Sequence, residues 1–406
     1  MTTKVNADTS GGLKLTSDTS GTLELQSAGN TKLTVNSSGA TIPTISGTTS
    51  MSAITGLASI NSGQIGGRRN IVINGEMKVA QRSTSETGLG AAGGYFTLDR
   101  WAMDGADSAG RYTMAQVADG PAGFANCLKL TTTTADTSIA AGEFLTLQTR
   151  FEGQDLQQLK KGTASAEQVT VSFYVKGNAA ALYVCELFDG DNTRSITQSF
   201  AVTTAWNRIE LTFAADTSDP LNDDNAVSLY LIFWLHAGSN FTSGTFAVNT
   251  WADRVNADRA AVDDLTSIFD STDRTFFVTG VQMEVGATAT DFESRSYGEE
   301  LALCQRYYQQ QFTFSAYASN TTTIQGSAPC IISMRATPTL SAGGALTVTD
   351  GSANYTQSSL SITGVFGTSN GISFNAGNFS SLTQFRPCMS NGATSAVGSL
   401  AYSAEL

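Results

Sequence analysis

The sequence predicts an all-β protein: an N-terminal stem of short β-repeats, a central antiparallel sandwich, one connector helix and a C-terminal β-sandwich tip. Three observations carry that expectation. Apolar and polar residues alternate with a period of two in run after run. The runs are rich in Val, Ile, Thr and aromatic residues, and clusters of Gly, Asn, Asp and Ser separate them. Only 14% of the 406 residues are charged, against roughly a quarter in soluble domains, so uncharged polar groups must wet the surface.

The stem occupies residues 1–50. Leu13-Lys14-Leu15, Leu23-Glu24-Leu25 and Leu33-Thr34-Val35 recur every ten residues, with Gly-containing turns between them. Each unit reads as a short strand with two apolar side chains on one face. So few aliphatic side chains cannot offset the cost of ordering the segment. Identical copies presenting Leu13, Leu15, Leu23, Leu25, Leu33 and Val35 to a shared axis would supply the missing burial. A homotrimer fits an elongated, repeat-built stalk; the alternative is a polar tail with incidental leucines. Residues 51–67 are small and polar, a linker.

Residues 68–297 read as the sandwich. A first strand is expected at 69–75, then strands at 167–176, 182–188, 195–202, 208–213, 227–234 and 275–285. The run 229–235 is apolar on both faces, as a strand covered on each side would be. A short helix is expected over 154–161, with Gly162 as its C-cap. Ser296-Tyr297-Gly298-Glu299 fits a capping box, and Leu301, Cys304 and Tyr308 share one helical face. The connector helix is therefore placed within 298–311, at 299–310. The tip, 312–406, is again short strands and turns, with very little charge.

Composition excludes several classes of function. A net charge of −12 with no basic patch argues against a nucleic-acid partner. The longest apolar run, 229–235, is far short of the roughly 20 residues of a membrane span. No apolar leader follows Met1, so no secretory signal is readable. The single histidine, His236, cannot serve as both base and ligand, and reads as a hydrogen-bonded strand-end residue. Cys127, Cys185, Cys304, Cys330 and Cys388 show no CxxC spacing and read as buried free thiols, in keeping with a reducing cytoplasm.

No catalytic residue and no metal site is expected. The acids weighed for glycoside hydrolysis, Asp99, Asp104, Asp107, Glu284, Asp291 and Glu293, have no spacing that selects a pair. No cofactor is expected either, calcium being the one alternative. Asp189-Gly190-Asp191-Asn192 and the Asp-rich stretch 216–224 offer oxygen ligands, but neither has EF-hand spacing, and both read equally as turns. Sugar rings stack on exposed aromatics. Trp101 and Trp234 read as core; Trp206 and Trp251 sit in polar, loop-like settings and, with Tyr95, are the carbohydrate-binding candidates.

Several stretches resemble bacteriophage tail-fibre and receptor-binding proteins, especially of marine phages. They are Gly67-Arg68-Arg69-Asn70-Ile71-Val72-Ile73-Asn74-Gly75-Glu76-Met77, Leu98-Asp99-Arg100-Trp101, Phe151-Glu152-Gly153-Gln154-Asp155-Leu156, Val171-Ser172-Phe173-Tyr174-Val175-Lys176 and Thr279-Gly280-Val281-Gln282-Met283-Glu284-Val285-Gly286. The most specific is Tyr297-Gly298-Glu299-Glu300-Leu301-Ala302-Leu303-Cys304-Gln305-Arg306-Tyr307-Tyr308; Met334-Arg335-Ala336-Thr337-Pro338 and Ala404-Glu405-Leu406 also match. The resemblance implies a jelly-roll sandwich of the carbohydrate-binding-module or galactose-binding type on a trimeric virion appendage, assembled in the bacterial cytoplasm. Its partners would be other tail or virion proteins and a host surface glycan or surface protein. It covers most of residues 67–340 and leaves the C-terminal 70 residues weakly matched. The alternatives are a tail-borne polysaccharide depolymerase, or a capsid or baseplate decoration protein without a receptor role.

Overall fold

The computed structural model describes three strands in the N-terminal segment, then residues 68–391 and 399–406. The N-terminal strands, β1 (Leu23–Ser27), β2 (Asn30–Asn36) and β3 (Gly39–Thr41), form a three-stranded antiparallel sheet in a unit of their own. The β1–β2 register pairs Leu23 with Val35 and Leu25 with Leu33, so four of the six stripe residues are cross-strand partners. Leu13, Leu15 and the linker 51–67 lie outside the described residues.

Twelve strands build the sandwich. They are β4 (Ser85–Leu89), β5 (Ala102–Ala106), β6 (Arg111–Val117), β7 (Cys127–Thr134), β8 (Phe144–Glu152), β9 (Val169–Gly177), β10 (Ala181–Asp189), β11 (Arg194–Val202), β12 (Asn207–Phe213), β13 (Val227–Ala237), β14 (Ala252–Asp253) and β15 (Thr275–Val285). They form two six-stranded antiparallel sheets, β14-β11-β10-β13-β8-β5 and β12-β9-β15-β7-β6-β4, packed face to face as a jelly-roll sandwich. Alternating residues of both sheets make the shared core, where Phe173 and Phe233 meet edge to face at 4.9 Å. β13 explains its two-sided apolarity. Leu229, Leu231, Phe233 and Leu235 point into the inter-sheet core. Ile232 and Trp234 lie on the opposite face with Ala260, Phe241 and Phe246, beneath the excursion that carries the one-turn helix α1 (Ser239–Thr242).

Three local expectations are corrected. Residues 69–75 form no strand, although Val72 is fully buried. Only two backbone bonds join this segment to β15, Ile71 N to Met283 O and Val281 N to Gly75 O, while the Asn70 carboxamide accepts from the Val72 and Met283 amides and Asn74 donates to Val79 O and Asp99 O. Residues 154–161 form two 3-10 turns, Gly153–Asp155 and Gln157–Leu159, because Lys160 turns left-handed (φ 49°) and stops propagation. Helix α2 runs Tyr297–Gln305 with the expected Ser296/Glu299 capping box, but ends early because 308–311 is a strand.

The C-terminal module contains β16 (Tyr308–Gln311), β17 (Ser315–Ala318), β18 (Ile324–Pro329), β19 (Thr339–Ala342), β20 (Thr347–Thr349), β21 (Asn354–Thr356), β22 (Ile362–Thr368), β23 (Gly371–Ala376), β24 (Pro387–Ser390) and β25 (Leu400–Ser403). A small sheet, β16-β25-β19, faces a seven-stranded one, β21-β20-β24-β17-β18-β23-β22. Phe314, Ile324, Leu346, Phe374, Leu382, Leu400 and Tyr402 fill the space between.

The module is fastened to the sandwich by Arg306-Tyr307-Tyr308. The buried Glu152 of β8 receives Arg306 Nη2 at 2.7 Å and the Tyr307 hydroxyl at 2.6 Å. Burial alone would raise the Glu152 pKa, but these donors outweigh it and hold the carboxyl below its ordinary value. Arg100 lies 3.5 Å over the Tyr307 ring, Arg82 lies 3.6 Å over Tyr308, and both arginines bind Glu405, at 2.5 and 3.0 Å. Such fully packed aromatic–guanidinium pairs fix one geometry.

Candidate functional site

The seven-stranded sheet covers a core on one face only. In β18, Ile324, Gly326 and Ala328 are buried while Ser327 and Pro329 are exposed; in β23, Ile372, Phe374 and Ala376 are buried and Ser373 is half-exposed. The period of two therefore sends Ser315, Tyr317, Gln325, Ser327, Ser373 and Met389 to the open face.

Register aligns these side chains across strands. Met389 pairs with Ser315, Ser315 with Ser327, Ser327 with Ser373, and Ser373 with Phe366. One row across five strands is thus three serines flanked by a thioether and a phenyl ring. The next row runs Pro387, Tyr317, Gln325, Asn375 and Thr363. Small serines between large ends make a trough. Three confluent clefts open along it, of about 450, 540 and 480 Å³, sharing Ser327. Phe366 is 78% exposed and Met389 62%. The hydroxyls of Ser315, Ser327 and Ser373 have no hydrogen-bond partner among the described residues. The Tyr317 hydroxyl donates to Gln325 Oε1, which orients that carboxamide in the trough.

Among the described residues none that lines these clefts is charged. The tip has four charged side chains, Arg335, Asp350, Arg386 and Glu405, and each has a partner. Asp350 and Arg386 pair at 2.7 Å, which holds the Asp350 carboxyl well below the usual range. Arg335 donates to Ala404 O at 2.8 Å and Asn225 O at 2.6 Å, and Glu405 is held by Arg82 and Arg100. Open aromatic and thioether surface, unpartnered hydroxyls and no charge make a face suited to rings that bear hydroxyl groups.

The sandwich candidates lie elsewhere and apart. Trp206 is half-buried: its indole N–H donates to Asp119 O at 3.1 Å and Lys176 sits 5.0 Å over its ring. Trp251 is half-buried against the main core, donating to Ala214 O at 2.8 Å, with Lys161 5.4 Å over its ring. Tyr95 is half-buried beneath Arg82 (5.2 Å), its hydroxyl directed at Leu406 O. Trp101 and Trp234 are fully buried.

The Asp-rich loops do converge oxygens on a cation, and the cation is Lys161. Its ammonium lies 2.6 Å from Asp189 Oδ2, 3.0 Å from Asp216 Oδ2, 3.1 Å from Ser218 O and 2.9 Å from Asp219 O. Among the described residues no cluster of three His, Cys, Asp or Glu is placed to hold a metal. Of the six acids weighed for hydrolysis, Asp99, Glu284 and Glu293 make structural contacts. Asp99 is buried with Gln81 and Arg82, burial raising its pKa to about 6. Glu284 accepts from Thr290, and Glu293 caps the Arg69 and Asn70 amides. His236 is buried, bonded to Ser267 at 2.7 Å and Glu143 at 3.3 Å, and burial lowers its pKa. All five cysteines are free and four are buried; desolvation raises the thiol pKa of each. Among the described residues no helix is long and apolar enough to cross a membrane.

No protein-family model and no curated protein matches the chain. Among solved structures, the family 11 carbohydrate-binding module of the cellulosomal cellulase Lic26A-Cel5E of Clostridium thermocellum aligns at 12% identity over 47% of this chain and 90% of its own, with a TM-score of 0.25. The carbohydrate-binding module TmCBM61, in complex with β-1,4-galactotriose, aligns at 10% identity over 54% of this chain and 99% of its own, with a TM-score of 0.28. At these scores the likenesses add nothing to what the sheets themselves display.

Sequence reasoning missed the trough. Its signal is present in Ser315-Ala316-Tyr317-Ala318 and Gln325-Gly326-Ser327-Ala328, which alternate small core residues with hydroxyl and amide groups. Without the strand order, nothing brings those fragments together.

Proposed function

We propose that this chain is a glycan-binding adhesin, a phage tail fibre whose N-terminal repeats attach it to the virion and trimerise it, and whose C-terminal face contacts the host surface. One observation carries the reading: the open, uncharged trough of Ser315, Ser327 and Ser373 between Met389 and Phe366. Sugar C–H faces stack on the exposed Phe366 and Tyr317 rings, and sugar hydroxyls bond the free serine hydroxyls and Gln325. A shallow site of this kind binds weakly. Three copies on one rigid body raise apparent affinity by about a hundredfold or more without any new contact. The tail-fibre assignment rests on the motif resemblance of residues 67–340 and on the repeats of the stem.

Preincubating host cells with the pure protein tests both parts. It is expected to block phage adsorption, and Phe366→Ala to block poorly, since losing an exposed aromatic platform costs about 1 kcal/mol per site. Cells that adsorb phage normally in the presence of excess wild-type protein would refute the receptor role.

A further inference from the structure

We infer that the trough selects neutral polysaccharide chains over acidic ones, a refinement that rests on the glycan-binding reading above. A uronic or sialic carboxylate laid along the serine row would leave bulk water beside Met389, Phe366 and the open sheet face, with no uncommitted cation among the described residues of the module to receive it. Desolvating an ionised group without a partner is strongly unfavourable. The cations of the module do not supply one. Arg386 is tied to Asp350, and Arg335 is occupied by Ala404 O and Asn225 O. Cationic sugars fare no better, because Asp350 and Glu405 are equally committed.

The polar groups of the trough suit neutral hydroxyls. Serine hydroxyls both donate and accept, as do Gln325 and Asn375 in the neighbouring row, so they match a sugar hydroxyl in either sense. The row from Met389 to Phe366 crosses four strand spacings, about 19 Å at ~4.8 Å each. That is room for an oligosaccharide rather than a single sugar. It runs across the strands, so the predicted ligand is an extended chain lying perpendicular to them.

The full-length protein is titrated against neutral galactan, glucan and mannan, and against a polyuronate and a polysialic acid, at low and at high salt. Binding to at least one neutral chain is expected, changing by less than about twofold with salt because no charge pair is screened. Phe366→Ala should weaken it about fivefold. Ser327→Asp, which places a carboxylate on the trough floor, should weaken it by more. Both positions are exposed, so both variants should melt with the wild type; Ser373→Asp stands in if one does not. Preference for an acidic chain, weakened by salt, would overturn the neutral selectivity and leave glycan binding intact. Neutral binding unaffected by all the variants would overturn this site. A fall in oligomeric mass in Phe366→Ala would make the face a contact between copies of this chain and overturn the proposal. Failure to bind any polysaccharide would overturn the glycan reading itself.

Discussion

Replacing Lys161 by Met should cost the sandwich on the order of 3–5 kcal/mol, the usual penalty for removing one partner of a buried ion pair. The Lys161 side chain is 6% exposed, Asp189 is fully buried and Asp216 is 4% exposed. Methionine keeps the apolar stem packed, so the loss is electrostatic. Asp216 keeps Arg194 at 3.1 Å, whereas Asp189 keeps only hydrogen bonds from Asn192. Burial acts to raise the Asp216 pKa, but Arg194, the Ser218 amide and Lys161 outweigh it, and the carboxyl sits below its ordinary value. A depressed acid pKa gives stability that is present above the unfolded value near ~3.9 and is lost as the pH falls through the folded one. In the variant Asp216 loses Lys161, one of the donors that hold its pKa down, so less of its stabilisation is left to lose on acidification and the deficit should narrow at low pH. Thermal melting at neutral and acidic pH reads this. For a domain of roughly 150–250 residues each kcal/mol is worth about 2–4 °C, so Tm should fall by roughly 6–20 °C at neutral pH. A loss below about 1 kcal/mol, or the same deficit at both pH values, would refute the assignment of Lys161 as the cation of this cage.

Further expectations follow from the same contacts. Chelators should leave the wild-type Tm unchanged, because the oxygens of the Asp-rich loops hold Lys161; a drop on adding EDTA would contradict this. Asp99 has a folded pKa raised by burial to about 6, so its contribution is full below about pH 4 and lost as the pH rises through about 6. Asp99→Asn should remove that slope from the Tm–pH profile. His236 slopes the other way, since a folded pKa lowered by burial loses stability as the pH falls through about 6.5; His236→Gln should flatten the profile there. Trp251→Ala should cost about 2 kcal/mol for a half-buried ring and lower Tm accordingly, while Trp206→Ala should cost less than about 1 kcal/mol. If Trp206→Ala instead weakens host binding at constant Tm, the sandwich carries a second glycan contact.

How much of this was legible depended on whether the signal was local. β15 shows its full alternation from Thr275 to Val285, and its bounds are those the pattern gives. The start of α2 was legible because Ser296 and Glu299 cap it with their own side chains. Its end was not, because Tyr308 leaves the helix to pair with Ser403, almost a hundred positions away. Ile71-Val72-Ile73 looks like a strand because it is buried, but only Ile71 reaches the β15 backbone, at Met283 O, while the Asn70 and Arg295 side chains bond the Val72 amide and carbonyl. The oxygen-rich loops at 189–192 and 216–224 were visible; the ammonium they receive comes from Lys161, which no spacing rule connects to them. The trough has the same character. Each fragment alternates, yet only the order β24-β17-β18-β23-β22, set by non-local pairing, lines up three serines between Met389 and Phe366.

Hydroxyl-radical footprinting reads the trough itself, because Phe366, Tyr317 and Met389 are all reactive and exposed. With host-surface polysaccharide bound, these three side chains should be protected while Trp206 and Trp251 keep their free-state reactivity. Protection confined to the sandwich, or none on the C-terminal sheet at saturating polysaccharide, would contradict a glycan site in the trough.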